Sequence, residues 1–124
     1  VYLTCYKNRT EEIIEALDTF STKLFAIDID EISTSDFYDI ISDIDSYVGS
    51  HCGNSIYDKL MQTLILLRKE SALKISGPVS SKQTAIFYRK KVLDSFHQDD
   101  IKEVKKTINN FFKYSIQSFQ LKDH

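Results

Sequence analysis

Arg89 is a permanent cation on an apolar stripe. In Ala85-Ile86-Phe87-Tyr88-Arg89-Lys90-Lys91-Val92-Leu93-Asp94-Ser95-Phe96, helical spacing sets Ala85, Ile86, Val92, Leu93 and Phe96 on one side. Arg89 projects from that same side. A guanidinium keeps its charge, so burying it demands a carboxylate, a phosphate or carbonyl oxygens. Two chemistries satisfy that demand. One is an internal ion pair with Asp45, which lies at the edge of an earlier helical stripe and can turn inward. The other is bidentate capture of an anionic small molecule in a cavity. The two can coexist, because an incoming anion can displace Asp45.

Other reactive residue types are sparse. His51-Cys52-Gly53-Asn54 puts a thiol beside an imidazole, but neighbours at a helix end rarely meet for Cys-His chemistry. The simpler assignment is Asn54 as a helix cap and Gly53 as a left-handed turn residue. Tyr47, Tyr88 and Phe111 sit on helices expected to face one another. Aromatics at this spacing fill a core, and tyrosine hydroxyls can line whatever polar pocket remains. His97 and His124 read as exposed. The sequence has no Gly-rich phosphate loop, catalytic triad or HExxH, so no enzyme is inferred.

The elements that must position Arg89 are helical. A chain of 124 residues makes a single domain with a real core. Three Gly and one Pro are too few for an all-β protein with many tight turns. The spacing predicts helices over Thr10 to Phe25, Ser35 to Ser50, Ser55 to Lys69, Ser81 to His97 and Ile101 to Phe119, with Val1 to Lys7 as the end of a first one. Capping patterns precede four of them: Asn8 with Glu11, Ser33 with Asp36, Ser80 with Gln83, and Asp100 with Glu103.

Each helix has a predicted buried stripe. The sets are Ile13, Leu17, Phe20 and Leu24; Phe37, Ile41, Ile44 and Val48; Ile56, Leu60, Met61 and Leu64; and finally Ile101, Val104, Ile108, Phe111, Phe112 and Phe119. The run Leu64-Ile65-Leu66-Leu67 is apolar all round, which predicts packing from more than one direction. Gly77-Pro78 stops one helix before the next begins. The result is an all-α, antiparallel bundle of about six helices. Because the chain opens Val1-Tyr2-Leu3 as if already inside a helix, it reads as part of something longer.

The charges are uneven. Residues 1–56 carry 3 basic and 11 acidic side chains, and residues 57–124 carry 13 and 7. Either acidic and basic helices pack side by side and offset each other, or the basic part presents a surface to a polyanion. No basic cluster is interleaved with stacking aromatics, which argues against direct nucleic-acid binding. Two cysteines make no disulfide framework and suit a reduced, cytoplasmic setting. No apolar run approaches the ~20 residues of a membrane span.

Two local patterns go further: His51-Cys52-Gly53-Asn54 between helices, and Val92-Leu93-Asp94-Ser95-Phe96 followed by His97-Gln98-Asp99-Asp100 and a long amphipathic helix. In order and spacing they resemble the effector-binding C-terminal domain, of the FCD or FadR C-terminal type, of GntR-family bacterial transcription regulators. The resemblance covers nearly the whole chain. It implies a single ligand-binding domain over 1–124, a homodimer, and DNA binding only through a winged-helix region that this chain lacks. It also implies an anionic effector such as a carboxylate or sugar acid, with Asn54 near its pocket.

The family commonly holds a divalent metal with an Asp, a His four residues on, and two later His. Counted from Gly53-Asn54 and Val92-Leu93, those positions fall on Ile41, Asp45, Arg89 and Phe111. Isoleucine and phenylalanine cannot ligate a metal, and arginine repels one. The expectation is therefore a sensor with no metal and no cofactor, reading its ligand with Arg89, Asp45, Asn54, Tyr47 and Tyr88. The competing expectation is a helical structural or protein-interaction module with no small-molecule ligand.

Overall fold

A computed structural model describes residues 1–74 and 79–122, with side chains except those of 68–74, 79–81 and 115–122. The described residues form an all-α bundle: α1 (Tyr2–Lys7), α2 (Glu11–Phe25), α3 (Thr34–Ser50), α4 (Ser55–Lys74), α5 (Val79–Asp94) and α6 (Ile101–Lys122). A 3-10 turn over Ser95–His97 joins the last two. No helix among the described residues is long and apolar enough to cross a membrane.

Helix starts follow local chemistry, with two corrections. The Ser33 hydroxyl accepts from Asp36 N at 3.0 Å, so α3 is capped where its sequence indicates. Asp100 accepts from Lys102 N at 3.1 Å at the start of α6. The cap of α2, however, is Thr10, which accepts from Ile13 N, and not Asn8. Asn8 is drawn away because its amide donates to Cys52 O at 2.9 Å, tying α1 to the α3–α4 turn. Helix α5 starts at Val79, so Ser80 is inside it rather than before it. Gly77-Pro78, His124 and the side chains of Ser80 and Phe119 lie outside what the structure describes.

The core gathers Leu17 and Leu24 of α2, Phe37, Ile41, Ile44 and Val48 of α3, Val92 and Leu93 of α5, Phe96, and Val104 and Ile108 of α6. Phe20 is only half-buried. Helix α5 lies between α2 and α6, while α1 bridges α3 and α6. Ser21 of α2 donates to Asp94 of α5 at 3.0 Å.

Helix α4 departs from the periodic reading. Among its described side chains Met61 and Ile65 are buried, whereas Ile56, Leu60 and Leu64 are exposed. Within Leu64-Ile65-Leu66-Leu67 only Ile65 is covered, so the run is not packed from several sides. The reason is a close approach on one side only. A Cβ on Gly49 of α3 would sit 3.0 Å from Met61 Cβ, so the glycine lets α4 settle against α3 through Met61 and Ile65. Ile101 and Phe112 of α6 are likewise exposed, because among its described side chains the helix turns Val104, Ile108 and Phe111 inward.

Candidate functional site

Asp45 and Arg89 meet inside the bundle. One turn of α3 places Asp45 between Ile41 and Val48, and the residue is 2% exposed. One turn of α5 before Val92 places Arg89, which is 6% exposed. Arg89 Nη2 donates to both Asp45 oxygens at 3.2 Å. Tyr2 of α1 donates its hydroxyl to Asp45 Oδ1. The Arg89 guanidinium lies over the Phe111 ring of α6, 4.8 Å from its centroid, and Tyr2 and Phe111 touch with centroids 5.9 Å apart. Four helices thus converge on one charge pair.

The electrostatics favour an ionised pair. Burial works against the Arg89 charge, but Asp45 and then Tyr2 outweigh it and raise its affinity for the proton. Burial first, and the Asp45 charge second, hold the Tyr2 phenol well above its ordinary value. Tyr2 therefore remains a proton donor to the carboxylate. The pairing does not use the full guanidinium fork. A single nitrogen spans both carboxylate oxygens, and Arg89 Nε has no hydrogen-bond partner. Ser42 Oγ, one turn before Asp45, is also buried and unpartnered.

The other candidates are engaged elsewhere. Asn54 is exposed, and its Oδ1 accepts from Ile56 N at 3.0 Å and Tyr57 N at 3.2 Å, which caps α4. Asn54→Ala should lower stability by about 1 kcal/mol in urea unfolding, while Asn54→Asp keeps the acceptor and most of the stability. Gly53 beside it has φ of +78°, the left-handed turn that its residue type suits. Tyr47 stacks on His51 with centroids 3.9 Å apart and meets Phe20 edge-on. Tyr88 stacks on Tyr114 at 4.8 Å. These rings belong to inter-helix packing rather than to the Arg89 cluster.

Cys-His chemistry is not assembled at the turn. Cys52 donates to Gly49 O at 3.1 Å, while the His51 ring stacks outside on Tyr47. Burial, with Cys52 adding to it, pushes the Cys5 thiol up to about 11, which makes it a poor nucleophile. His97 is exposed and pairs with Asp18 at 2.7 Å. Among the described residues no group of three His, Cys, Asp or Glu side chains is placed to hold a metal ion.

Tyr2 is the cluster member that sequence reasoning overlooked. Its signal is the Tyr2, Cys5, Tyr6 spacing, an i, i+3, i+4 buried face on a helix too short for its period to stand out. A groove of about 410 Å³ lies on the surface, lined by Ser21, Thr22, Phe25, Ala26 and Lys90. Arg89 does not line it. The Ile41, Asp45, Arg89 and Phe111 set offers one carboxylate, a cation and two hydrocarbon side chains, and so does not fit a divalent metal. The chain matches no protein-family model, and neither the curated proteins nor the solved structures contain a significant match to it.

Proposed function

We propose that this chain is the effector-sensing and dimerisation domain of a GntR-like transcriptional regulator working in the cytoplasm. In this reading it binds a small anionic metabolite without a metal and acts on DNA through a region outside the chain. One observation carries it. Three of the four positions to which the family's metal ligands map, Asp45, Arg89 and Phe111, meet in one buried cluster. A cation stands where a metal-binding histidine would be expected, and its Nε edge is unused.

The chemistry is carboxylate exchange. An effector carboxylate accepts from Arg89 Nε and Nη2 as a fork, and Asp45 gives up part of its contact. Asp45 is on α3 and Arg89 on α5, so exchange alters how those helices sit together. Regulation requires that the effector prefer one of two dimer states; equal affinity for both shifts nothing.

The second reading is a helical structural or interaction module. Its supporting observation is that Arg89 is already paired, with Tyr2 bonded to the same carboxylate, and that the surface groove lies elsewhere. A thermal-shift screen with carboxylates and sugar acids, with and without divalent metals, separates the two. The sensor reading expects stabilisation of roughly 2.7 kcal/mol at a hundredfold excess over Kd, lost in Arg89→Ala. Silence from every acid leaves the module. Metal-dependent stabilisation that survives Arg89→Ala refutes the metal-free site.

A further inference from the structure

Helix α4 carries a second apolar face that its own fold does not use. Met61 and Ile65 meet α3, and among the described residues α3 is the only element against which α4 packs extensively. On the other side Ile56 is 67% exposed, Leu60 52%, Leu64 56% and Leu67 56%, with Tyr57 alongside at 37%. Tyr57, Leu60, Leu64 and Leu67 follow one another at spacings of three, four and three, the seam of a paired helix. A contiguous apolar stripe of three turns on a surface marks an interaction site.

We infer that this stripe is the contact between two copies of the chain, with the two α4 helices antiparallel across a two-fold axis that crosses the seam between Leu60 and Leu64, at the level of Gln62. The stripe is self-complementary about that point. Tyr57 of one copy meets Leu67 of the other, and Leu60 meets Leu64, which are the a-to-d pairings of an antiparallel seam. Charge agrees. Between Ile56 and Leu67 the only charged residues are Asp58 and Lys59, both outside the seam positions. Asp58 is on the α3 side, its Oδ1 3.4 Å from where a Gly49 Cβ would lie. The pairing therefore buries no charge and opposes none of like sign. Antiparallel helices also set opposite ends of their dipoles together. Among the described residues α4 is the one helix with an exposed 3–4 apolar seam, so a second copy supplies the matching surface.

The inference rests on the dimeric part of the proposed function and not on the ligand. It is tested by sedimentation equilibrium of the whole chain from about 10 µM to about 1 mM. The wild type should approach twice the 14.4 kDa of one chain. Leu60→Asp or Leu64→Asp should raise the dimer Kd by roughly 100-fold or more, with the helical circular dichroism retained because both side chains are exposed in the single chain, and melting lowered only by the lost association. Under mild oxidation, Leu60→Cys mixed with Leu64→Cys should cross-link well, and either alone poorly. Cys5 and Cys52 are fully buried and do not compete. A wild-type monomer throughout overturns both the interface and the dimeric reading. A dimer indifferent to the Asp variants, with no mixed cross-link, overturns the α4 face alone. Self-cross-linking of Leu60→Cys above that of the mixture overturns the antiparallel arrangement.

Discussion

Asp45→Ala is expected to destabilise the chain by roughly 3–5 kcal/mol in urea unfolding. Among the described residues the substitution removes the carboxylate that Arg89 bonds and the acceptor of the Tyr2 hydroxyl. The guanidinium stays charged in a bundle interior that gives it little water. That uncompensated burial, rather than the attraction itself, sets the size of the loss. A reciprocal experiment separates the two terms. Asp45→Leu combined with Arg89→Met and Tyr2→Phe removes both charges and the hydroxyl that would lose its acceptor, and fills similar volume, so it should be near neutral or stabilising. A double-mutant cycle then returns a coupling of the order of 3 kcal/mol. If Asp45→Ala melts like the wild type, the ion pair does not exist in solution.

Phe96→Ala is expected to cost about 3–5 kcal/mol by leaving a cavity at the α5–α6 joint. Phe96 is fully buried, and its ring meets Tyr6 edge-on with centroids 5.7 Å apart. The same joint holds α1 through polar contacts. Tyr6 donates to Gln98 O, and Arg9 reaches Asp99 at 3.1 Å. Emptying the Phe96 site loosens the seat of Tyr6 and therefore of α1, which carries Tyr2 to the Asp45 carboxylate. Amide exchange should accordingly quicken in α1 more than in α3, beyond the global loss. A uniform change across the helices would show that α1 is not held at this joint.

Helix positions were readable because apolar residues recur at the helical period between capping residues. Phe37, Ile41, Ile44 and Val48 of α3 are all buried as spaced. The same method failed on α4 because apolar residues surround it, and period alone cannot say which side meets the fold. Gly49 decided that, by admitting Met61 at close range. Asn8 shows a similar limit. Its type and position suit a cap, but a carbonyl 44 residues away in sequence claimed its amide.

By itself, the sequence determined that the chain is all-α and that Arg89 needs a counter-charge, because both follow from local periodicity and from the permanence of a guanidinium. Asp45 was named from the sequence as one partner for Arg89, yet only the tertiary structure brings the two together. That contact depends on how α3 and α5 sit against each other, which no local spacing encodes. Tyr2 joined the cluster for the same reason: α1 is too short to show a period, and its place is set by what Phe96, Cys52 and Gln98 offer it. The tertiary structure also left Arg89 Nε unpartnered, since a single nitrogen spans the Asp45 carboxylate at the angle the packed helices allow.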